Sequence, residues 1–344
     1  MLGYGSIGRR HAAAMAQLGH PLAIVNRGPE TRQRAAQEHP GAAVVPSIEA
    51  LDEARFPWTD ALAVIATWGP QHAGHLAALA DRGVRRILCE KPMAASVADA
   101  RAMARRAATL EYAGVNHTLR FAGLAPALGQ LTDRHALGPP QALVVQGGAA
   151  CLVTNGIHWL DFATVLFGGT PEAVVSTARA EPLNPRSPEL GLYGGSAVWT
   201  FADGRELVMT FSNRSSVLPL ARAVYHNGVV EIGYVGQGDD SVLHATLGVR
   251  DPAAVERYPQ VTRTGAASLI QYSGPLPGAR SFNEGMLAAA RELAEGTRPT
   301  CPADAGAEAV RFCIAALEAG RTERRIDLVP GSDDSWHEAG WPIS

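Results

Sequence analysis

The chain has 344 residues, of which 47% are apolar and 18% charged, and its formal net charge is −3. This composition is that of an ordinary globular protein, and it argues against a disordered or fibrous chain and against a nucleic-acid-binding surface. Because one hydrophobic core usually serves at most roughly 250 to 300 residues, we expect two domains.

The cysteines and the apolar runs exclude further classes. Cys89, Cys151, Cys301 and Cys313 show neither CxxC pairs nor histidines at zinc-binding spacing, so we expect no metal site and no disulfide framework. The apolar runs are far shorter than the roughly 20 residues of a membrane span. The first motif begins at Gly3, which leaves no room for a cleavable leader, so we expect a cytoplasmic protein that binds no membrane.

The chain opens on a G-x-G-x-x-G motif, Gly3-Tyr4-Gly5-Ser6-Ile7-Gly8, directly before a helix-forming stretch. Its glycines permit a tight turn, a close backbone approach to a pyrophosphate and helix–strand packing, while the helix N-terminus attracts phosphate. The alternative is a glycine-rich turn without a ligand. Only Met1 and Leu2 precede the motif although a strand usually has about five residues, so we expect the natural product to start several residues upstream.

From residue 1 to about residue 121, short apolar runs alternate with amphipathic stretches. The predicted strands are Leu22–Asn26, Ala42–Val45, Ala61–Ala66 and Arg86–Cys89, and the intervening helical patterns include His11–Leu18 and His72–Arg82. Gly19 and Gly83 each follow a helical stretch, as C-cap glycines do. The rhythm predicts βαβ units and, with the glycine motif, a dinucleotide-binding Rossmann domain over residues 1–121.

The position that normally carries a ribose-binding acid, about 20 residues after the glycines, holds Asn26, and Arg27 follows it. A carboxylate there repels a 2′-phosphate and a guanidinium attracts one, so we expect NADP, with Arg27 and Arg32 on the phosphate. The alternative is that Asn26 contacts a ribose hydroxyl of NAD while Arg27 covers the adenine face.

Polar residues follow the next predicted strands. They are Thr67, Pro70 and His72 in one loop, and Glu90 and Lys91 in the other. An open α/β sheet places its ligand outside the carboxyl ends of its strands, so we expect all five to contact the cofactor. Lys91 is the sharper candidate for chemistry, because an ammonium there is able to reach both a ribose and a substrate hydroxyl.

From about residue 123 the predicted strands come in pairs. Two hairpins are indicated, Val198–Ala202 with Glu206–Phe211 around Asp203-Gly204, and Leu220–Tyr225 with Val229–Gly233 around Asn227-Gly228. Such turns predict antiparallel pairing. Two helices close the chain, Phe282–Glu295 and Ala305–Ala319, and we expect them to end at Gly296 and Gly320.

A further candidate is His158, in the stretch that begins at Thr154-Asn155 and leads into an apolar helical pattern. With Thr154 or Asn155 as N-cap, the helix dipole would lower the pKa of His158 and keep it neutral as a proton acceptor. Asp161 stands one turn on and is placed to orient the imidazole. Taken alone, a histidine on an apolar helix is more often structural.

Together these motifs resemble the Gfo/Idh/MocA family, the glucose-fructose oxidoreductase and inositol dehydrogenase-like proteins. The resemblance rests on Gly3–Gly8 with His11, Thr67 to His72, Glu90-Lys91-Pro92, Arg120-Phe121, and Gly156-x-His158-x-x-Asp161 in this order. It implies an α/β fold: an N-terminal Rossmann domain with a doubly wound parallel sheet, residues 1–121, and a C-terminal α/β substrate-binding domain with an open-faced, mainly antiparallel sheet, residues 122–344. It also implies a homodimer or homotetramer through that sheet.

The resemblance implies an NAD(P)-dependent oxidoreductase of sugars, cyclitols or related polyols, with Lys91 and His158 as the catalytic pair and without a metal. Hydride would pass between a carbinol carbon and the nicotinamide, while His158 moves the hydroxyl proton and Lys91 polarises the oxygen. Many members carry an aspartate four residues before the histidine, where this chain has Thr154. This departure leaves the particular substrate and the reaction direction open.

Substrate-facing candidates are Asn116, His117, Arg120, Thr154, Asn155 and His158. Arg120 is equally suited to bind a substrate carboxylate or phosphate and to serve as a structural arginine between the domains. Two other functions stay open: an NAD-dependent glycosidase, which holds its cofactor without net turnover, and a regulator that binds dinucleotide without catalysis. Retention of both Lys91 and His158 argues against the regulator.

Overall fold

A parallel sheet forms the first half of the chain in the computed structural model, which describes residues 1–148, 151–181, 190–212, 214–236, 241–249, 269–332 and 335–343. Its strands are β1 (Ala23–Val25), β2 (Ala43–Val45), β3 (Leu62–Ile65), β4 (Arg86–Cys89) and β5 (Tyr112–Val115). β1 pairs with β2, and β3, β4 and β5 pair in that order, all in parallel. Leu2 bridges Val25 on one side and Ile65 on the other, so it joins the two groups. The strand predictions are confirmed to within one residue at each end.

Five helices of the described chain accompany this sheet: α1 (Ser6–Ala16), α2 (Pro29–Glu38), α3 (Gly69–Asp81), α4 (Val97–Ala107) and α5 (Thr118–Phe121). The start of α4 is fixed by Ser96, whose side chain accepts a hydrogen bond from the Asp99 N–H at 3.0 Å. Gly19 and Gly83 follow α1 and α3 with φ of 75° and 93°, which confirms them as the left-handed residues after these helices.

A mainly antiparallel sheet dominates the second half. Its strands are β6 (Pro140–Gly147), β7 (Pro171–Ser176), β8 (Arg179–Glu181), β9 (Leu192–Phe201), β10 (Glu206–Phe211), β11 (Leu220–Tyr225), β12 (Gly228–Val235), β13 (Val242–Val249), β14 (Leu269–Pro275) and β15 (Ile326–Asp327). The order is β14-β13-β12-β11-β6-β10-β9-β7-β15, with β8 on β9. Both predicted hairpins, β9–β10 and β11–β12, are confirmed. Within the described part, the pair of β6 and β10 is parallel and the other pairs of this sheet are antiparallel.

The second half also contains α6 (Leu124–Arg134), α7 (Gly156–Phe167), α8 (Phe282–Glu295) and α9 (Ala303–Thr322). α8 begins with a capping box between Ser281 and Glu284 and ends at Gly296, as predicted. The expectation that Gly320 ends α9 is wrong, because the helix continues to Thr322. Gly320 serves close packing instead, since a Cβ there would lie 2.3 Å from the Ala178 carbonyl oxygen.

α9 connects the two halves of the molecule. Pro302, just before it, forms a β-bridge with Gly114 of β5. A Cβ on Gly306 would lie 2.4 Å from Val115 Cγ2, so the helix start packs directly on that strand. The predicted division at residues 121 and 122 falls between α5 and α6 and stays a prediction. In the described part of the chain, no helix is both long and apolar enough to cross a membrane.

Candidate functional site

A cavity of about 760 Å³ lies at the carboxyl ends of the parallel strands. It is bordered by the glycine-rich turn, the loops after β3 and β4, and the start of α7. The predicted residues that line it are Gly5, Ser6, Ile7, Thr67, Glu90, Lys91, Thr154, Asn155 and His158. The topology therefore brings together segments from both predicted domains, at the edge where open α/β sheets bind their ligands.

The glycine-rich turn has the shape that a dinucleotide requires. Gly3 has φ of 89°, and a Cβ there would lie 2.5 Å from the Ala66 carbonyl oxygen. A Cβ on Gly8 would lie 2.4 Å from the Gly3 carbonyl oxygen, so α1 packs tightly on the turn. A Cβ on Gly5, which lines the cavity, would meet nothing within 4 Å. The backbone is thus open at the position where a pyrophosphate would approach the start of α1.

The loop after β1 is braced by its own polar groups. Asn26 Oδ1 accepts a hydrogen bond from the Gly28 N–H at 3.0 Å. Arg32 donates to the carbonyl oxygens of Asn26 and Arg27, at 3.0 Å and 2.6 Å. Arg27 is exposed. The loop therefore presents the Arg27 guanidinium to solvent, while Arg32 holds its backbone.

His72 links the loops after β3 and β4. It is buried, with Nε2 3.0 Å from the Thr67 carbonyl oxygen and Nδ1 3.1 Å from the Pro92 carbonyl oxygen. Burial lowers the pKa of His72, despite raising contributions from these carbonyls and from Glu90. Pro70 lies in the first turn of α3. Neither His72 nor Pro70 is among the cavity-lining residues, so His72 holds the shape of the loop that carries Thr67.

Glu90 lies in the cavity wall and is the centre of a buried polar cluster. Its Oε1 lies 2.7 Å from His11 Nε2 and accepts a hydrogen bond from Asn116 Nδ2 at 2.6 Å. Burial, the largest influence, raises the pKa of Glu90, but His11, Lys91 and Asn116 together outweigh it and lower the pKa to about 2. Glu90 is therefore a carboxylate near neutral pH. Asn116 faces this carboxylate, and its predicted contact with substrate stays a prediction.

Lys91 and His158 line the cavity from the loop after β4 and from α7. Lys91 Nζ donates a hydrogen bond to the Thr154 carbonyl oxygen at 2.8 Å, across the boundary between the two halves. That carbonyl belongs to a π-helical turn, Cys151–Asn155, which leads directly into α7. Asn155 is the N-cap of α7, in helical conformation and without a side-chain capping bond. Asn155 is thus the N-cap, one of the two predicted candidates, although its side chain makes no capping hydrogen bond.

The pKa of His158 is lowered well below its ordinary value, first by burial and then by the charges of Lys91 and His117. The expected direction is correct, and the cause is desolvation more than a helix end, since α7 continues from the preceding turn. At neutral pH the imidazole is uncharged, and His158 is able to accept a proton from a group in the cavity.

Asp161 does not orient His158 as expected. Both of its carboxylate oxygens accept hydrogen bonds from Arg120, each at 2.7 Å, and Arg120 also donates to the Thr300 carbonyl oxygen at 3.3 Å. Arg120 thus ties α5 to α7 and to the segment before α9, and it lies behind the cavity wall. The predicted contact of Arg120 with substrate stays a prediction, and the geometry matches the structural alternative.

His117 stands between Asp161 and His158. Its Nδ1 is 3.8 Å from Asp161 Oδ2, and its ring contacts the His158 ring edge to face, with centroids 5.6 Å apart.

Cavity-lining residues that the sequence reasoning did not select include Arg10, Trp68, Thr118, Tyr234 and Phe282. Of these, Trp68 had a signal in the sequence, since it directly follows Thr67. In the structure the residue is 42% exposed.

Comparison with known proteins agrees with this fold. Residues 1–117 match the GFO_IDH_MocA family model, described as an oxidoreductase family with an NAD-binding Rossmann fold. A structure of levoglucosan dehydrogenase in complex with NADH and levoglucosan superimposes with a TM-score of 0.70 over 96% of this chain and 98% of that chain, at 17% identity. The predicted two-part α/β fold is therefore confirmed.

Two curated relatives align with part of the chain. D-apiose dehydrogenase of Paraburkholderia graminis is 31% identical over 52% of this chain and 52% of its own length. Inositol 2-dehydrogenase 2 of Mycolicibacterium vanbaalenii is 30% identical over 55% of this chain and 58% of its own. The chain thus spans about half the length of these relatives, and both names describe dehydrogenases of polyhydroxylated compounds.

Proposed function

We propose that this chain, which belongs to the Gfo/Idh/MocA oxidoreductase family, transfers a hydride between a nicotinamide cofactor and a carbinol or carbonyl carbon of a sugar, cyclitol or related polyol. The observation that carries the proposal is the convergence of Lys91 and His158 on one cavity that the glycine-rich turn also borders. The names of the two curated relatives support the substrate class.

The residues divide into two groups by role. Gly3, Gly5, Ser6, Ile7, Gly8, Asn26, Arg27, Thr67, Pro70, His72, Glu90 and Lys91 form or support the cofactor site, and Thr154, Asn155 and His158, with Asn116 and Arg120 behind them, form the substrate side. The nicotinamide, when bound, supplies the hydride acceptor or donor. The protein contributes orientation, exclusion of water and proton transfer.

The chemistry of the pair follows from its surroundings. In the oxidation direction, His158 is neutral and takes the hydroxyl proton of the substrate. Lys91, held by the Thr154 carbonyl oxygen at 2.8 Å, faces the same oxygen and stabilises the negative charge that develops on it. In the reduction direction, the protonated His158 returns that proton. No metal takes part in this proposal.

NADP is the proposed cofactor, with NAD as the alternative. The position after β1 that suits a ribose-binding carboxylate holds the Asn26 amide, whose oxygen is engaged with the Gly28 N–H. Asn26 carries no charge that would repel a 2′-phosphate, and the exposed Arg27 guanidinium beside it suits one. We also propose a homodimer or homotetramer through the large sheet, where Leu220 and Ile270 are 49% and 70% exposed.

The first test measures nicotinamide absorbance with NADPH and NADH against a panel of ketosugars, aldoses and cyclitols. We expect turnover with a polyol, and a loss of about 100- to 10,000-fold in kcat for Lys91→Ala and His158→Ala with cofactor binding retained. His226→Ala, at an exposed histidine away from the cavity, is the control and keeps wild-type kcat. Tight cofactor binding without turnover, with cleavage of a chromogenic glycoside, would instead establish the glycosidase.

The second test concerns cofactor choice. Arg27→Ala is expected to raise KM for NADPH about tenfold, the loss of one charge-assisted hydrogen bond of roughly 1.5 kcal/mol, and to leave KM for NADH unchanged. Asn26→Asp is expected to reverse the preference toward NADH, because its carboxylate repels the 2′-phosphate. Arg34→Ala, at an exposed arginine of α2, is the matched control. An unchanged NADPH to NADH ratio in Arg27→Ala would favour NAD.

A further inference from the structure

Trp68 is a large aromatic residue at the cavity that the proposed chemistry does not yet use. It lies in the loop after β3 and lines the same cavity as Lys91 and His158. The residue is 42% exposed, although an indole gains much free energy when its large apolar face is covered. Aromatic side chains are typical of the walls of small-molecule sites, so a ligand of this cavity is the natural cover for the ring.

The loop holds the backbone of Trp68 from both sides. Before it, the Thr67 carbonyl oxygen lies 3.0 Å from Nε2 of the buried His72. After it, a Cβ on Gly69 would lie 3.5 Å from Pro92 Cγ, so the start of α3 packs on the loop after β4. A side chain on a braced loop loses little conformational freedom when a ligand binds, which favours its use as a contact surface.

The order of the strands places Trp68 on one side of the glycine-rich turn. Leu2, just before that turn, bridges β1 on one side and β3 on the other. Arg27 follows β1, whereas Trp68 follows β3, next to the loop that carries Lys91 after β4. In the proposed function the 2′-phosphate lies at Arg27 and the pyrophosphate at the turn. The nicotinamide then extends to the side of Trp68, toward Lys91 and His158.

We infer that Trp68 is a cofactor-binding residue whose indole face stacks on the nicotinamide ring. This inference rests on the proposed dehydrogenase function. The oxidised nicotinamide is a planar cation, and among aromatic side chains the face of tryptophan attracts cations most strongly. The reduced ring is neutral, so it keeps the stacking contact and loses the cation–π attraction. Trp68 therefore contributes more to binding of the oxidised cofactor than to binding of the reduced one.

A polyol substrate is the other candidate for contact with the indole, and two observations favour the cofactor. Trp68 lies within residues 1–117, the part of the chain that matches the NAD-binding Rossmann model. The second half of the chain offers the cavity the polar residues Thr154 and Asn155, which suit the hydroxyl groups of a polyol. An apolar aromatic face suits the flat nicotinamide better than it suits a surface of hydroxyl groups.

Isothermal titration of the full chain tests the inference with NADP⁺, NADPH and 2′-phospho-ADP-ribose, which is the same cofactor without its nicotinamide. Trp68→Leu keeps an apolar side chain and removes the aromatic face. We expect it to weaken NADPH binding about tenfold, as for the loss of one stacked ring. NADP⁺ binding should weaken by a further factor of about 3 to 10, because the cation–π attraction is lost as well. Binding of 2′-phospho-ADP-ribose should stay within about twofold, and Trp68→Phe should retain most of the affinity for all three.

Trp58→Leu is the matched control, because Trp58 lies just before β3, at the opposite end of that strand from Trp68. It should leave the three affinities within about twofold of wild type. If NAD is the cofactor, NAD⁺, NADH and ADP-ribose replace the three probes with the same expectations.

The outcomes separate the inference from the proposed function. A wild type that binds cofactor without turning over any polyol refutes the function, whereas the three affinities still decide the inference. Equal weakening of NADP⁺ and 2′-phospho-ADP-ribose in Trp68→Leu, or no weakening of either, overturns the inference alone, as does a raised substrate KM with unchanged cofactor affinity. A wild type that binds no dinucleotide overturns both. Should Trp68→Leu fail to fold, nuclear Overhauser effects in the wild type decide: contacts between the Trp68 indole and the nicotinamide protons support the inference, and their absence in the saturated complex overturns it.

Discussion

The cofactor side of the cavity, from Gly3 to Gly8, and the substrate side, around His117 and His158, are built from different kinds of interaction. On the cofactor side the absence of side chains is decisive: Gly3 and Gly8 leave no space for a Cβ, and Gly5 leaves the backbone open. On the substrate side, buried charges and buried polar atoms determine the arrangement, because Asp161 binds Arg120 and lies near His117.

This difference teaches how each side responds to change. A steric site fails when an atom is added, and the failure is local to the backbone turn. A buried electrostatic site fails when a partner is removed, because the remaining charge keeps its desolvation cost. Loss of a charged partner on the substrate side should therefore lower folding stability. On the cofactor side, a side chain added where the backbone is open should weaken cofactor binding and leave folding stability unchanged.

The largest effect is expected from Arg120→Ala. Asp161 is 1% exposed and would lose both hydrogen bonds, so the free energy of unfolding should fall by about 3 to 5 kcal/mol. Urea denaturation measures it, with Arg222→Ala as control; the Arg222–Glu231 pair is half exposed and should contribute under about 1 kcal/mol.

The double variant Arg120→Met/Asp161→Leu sharpens this test. Since it removes both charges together, it should regain most of the lost stability. If Arg120→Ala is no more destabilising than Arg222→Ala, the ion pair is not the brace between α5 and α7 that its geometry indicates.

The next effect compares two glycines of one turn. Gly3→Ala puts an alanine at positive φ and a Cβ 2.5 Å from the Ala66 carbonyl oxygen, so unfolding free energy should fall by roughly 3 kcal/mol. Gly5→Ala meets nothing within 4 Å and should leave stability within about 0.5 kcal/mol of wild type, yet weaken dinucleotide binding by more than about tenfold.

Thermal unfolding and isothermal titration with NADPH and NADH measure these two quantities. Gly19→Ala, at a positive-φ glycine of the same domain with no atom near its Cβ position, reports the conformational cost alone. Unchanged dinucleotide affinity in Gly5→Ala would contradict the assignment of this turn to the pyrophosphate.

The sequence predicted the cofactor side better than the substrate side, and the reason is physical. Gly3, Gly5 and Gly8 act within one turn of chain, so their spacing carries the geometry. Strand periodicity likewise placed β1 to β4 to within one residue. Lys91 and His158 were selected from their local motifs and the family resemblance, and both line the cavity.

The substrate network depends on contacts between distant segments, which local patterns do not encode. Asp161 stands one turn after His158, a spacing that suggested a direct contact, but Arg120 from α5 takes both of its oxygens. Gly320 looked like a helix end because glycine often follows helices, whereas here the approach of Ala178 requires the missing side chain. In each case a tertiary partner decided the outcome.

The smallest effect lies between the two sides, at Glu90, and it appears only in acid. The pKa of Glu90 is lowered to about 2 from an ordinary 4.5, because contacts with His11, Lys91 and Asn116 outweigh the raising effect of burial. A carboxyl with a depressed pKa stabilises the fold above its unfolded-state pKa, and this contribution is lost as pH falls from about 4.5 to about 2.

Glu90→Gln cannot titrate, so comparison of the pH dependence of unfolding free energy in wild type and variant isolates Glu90 from the other carboxylates. We expect wild type to lose on the order of 1 kcal/mol more than the variant between pH 7 and pH 3.5. Parallel profiles in urea denaturation would mean that His11 and Asn116 hold Glu90 no more tightly as a carboxylate than as a neutral group.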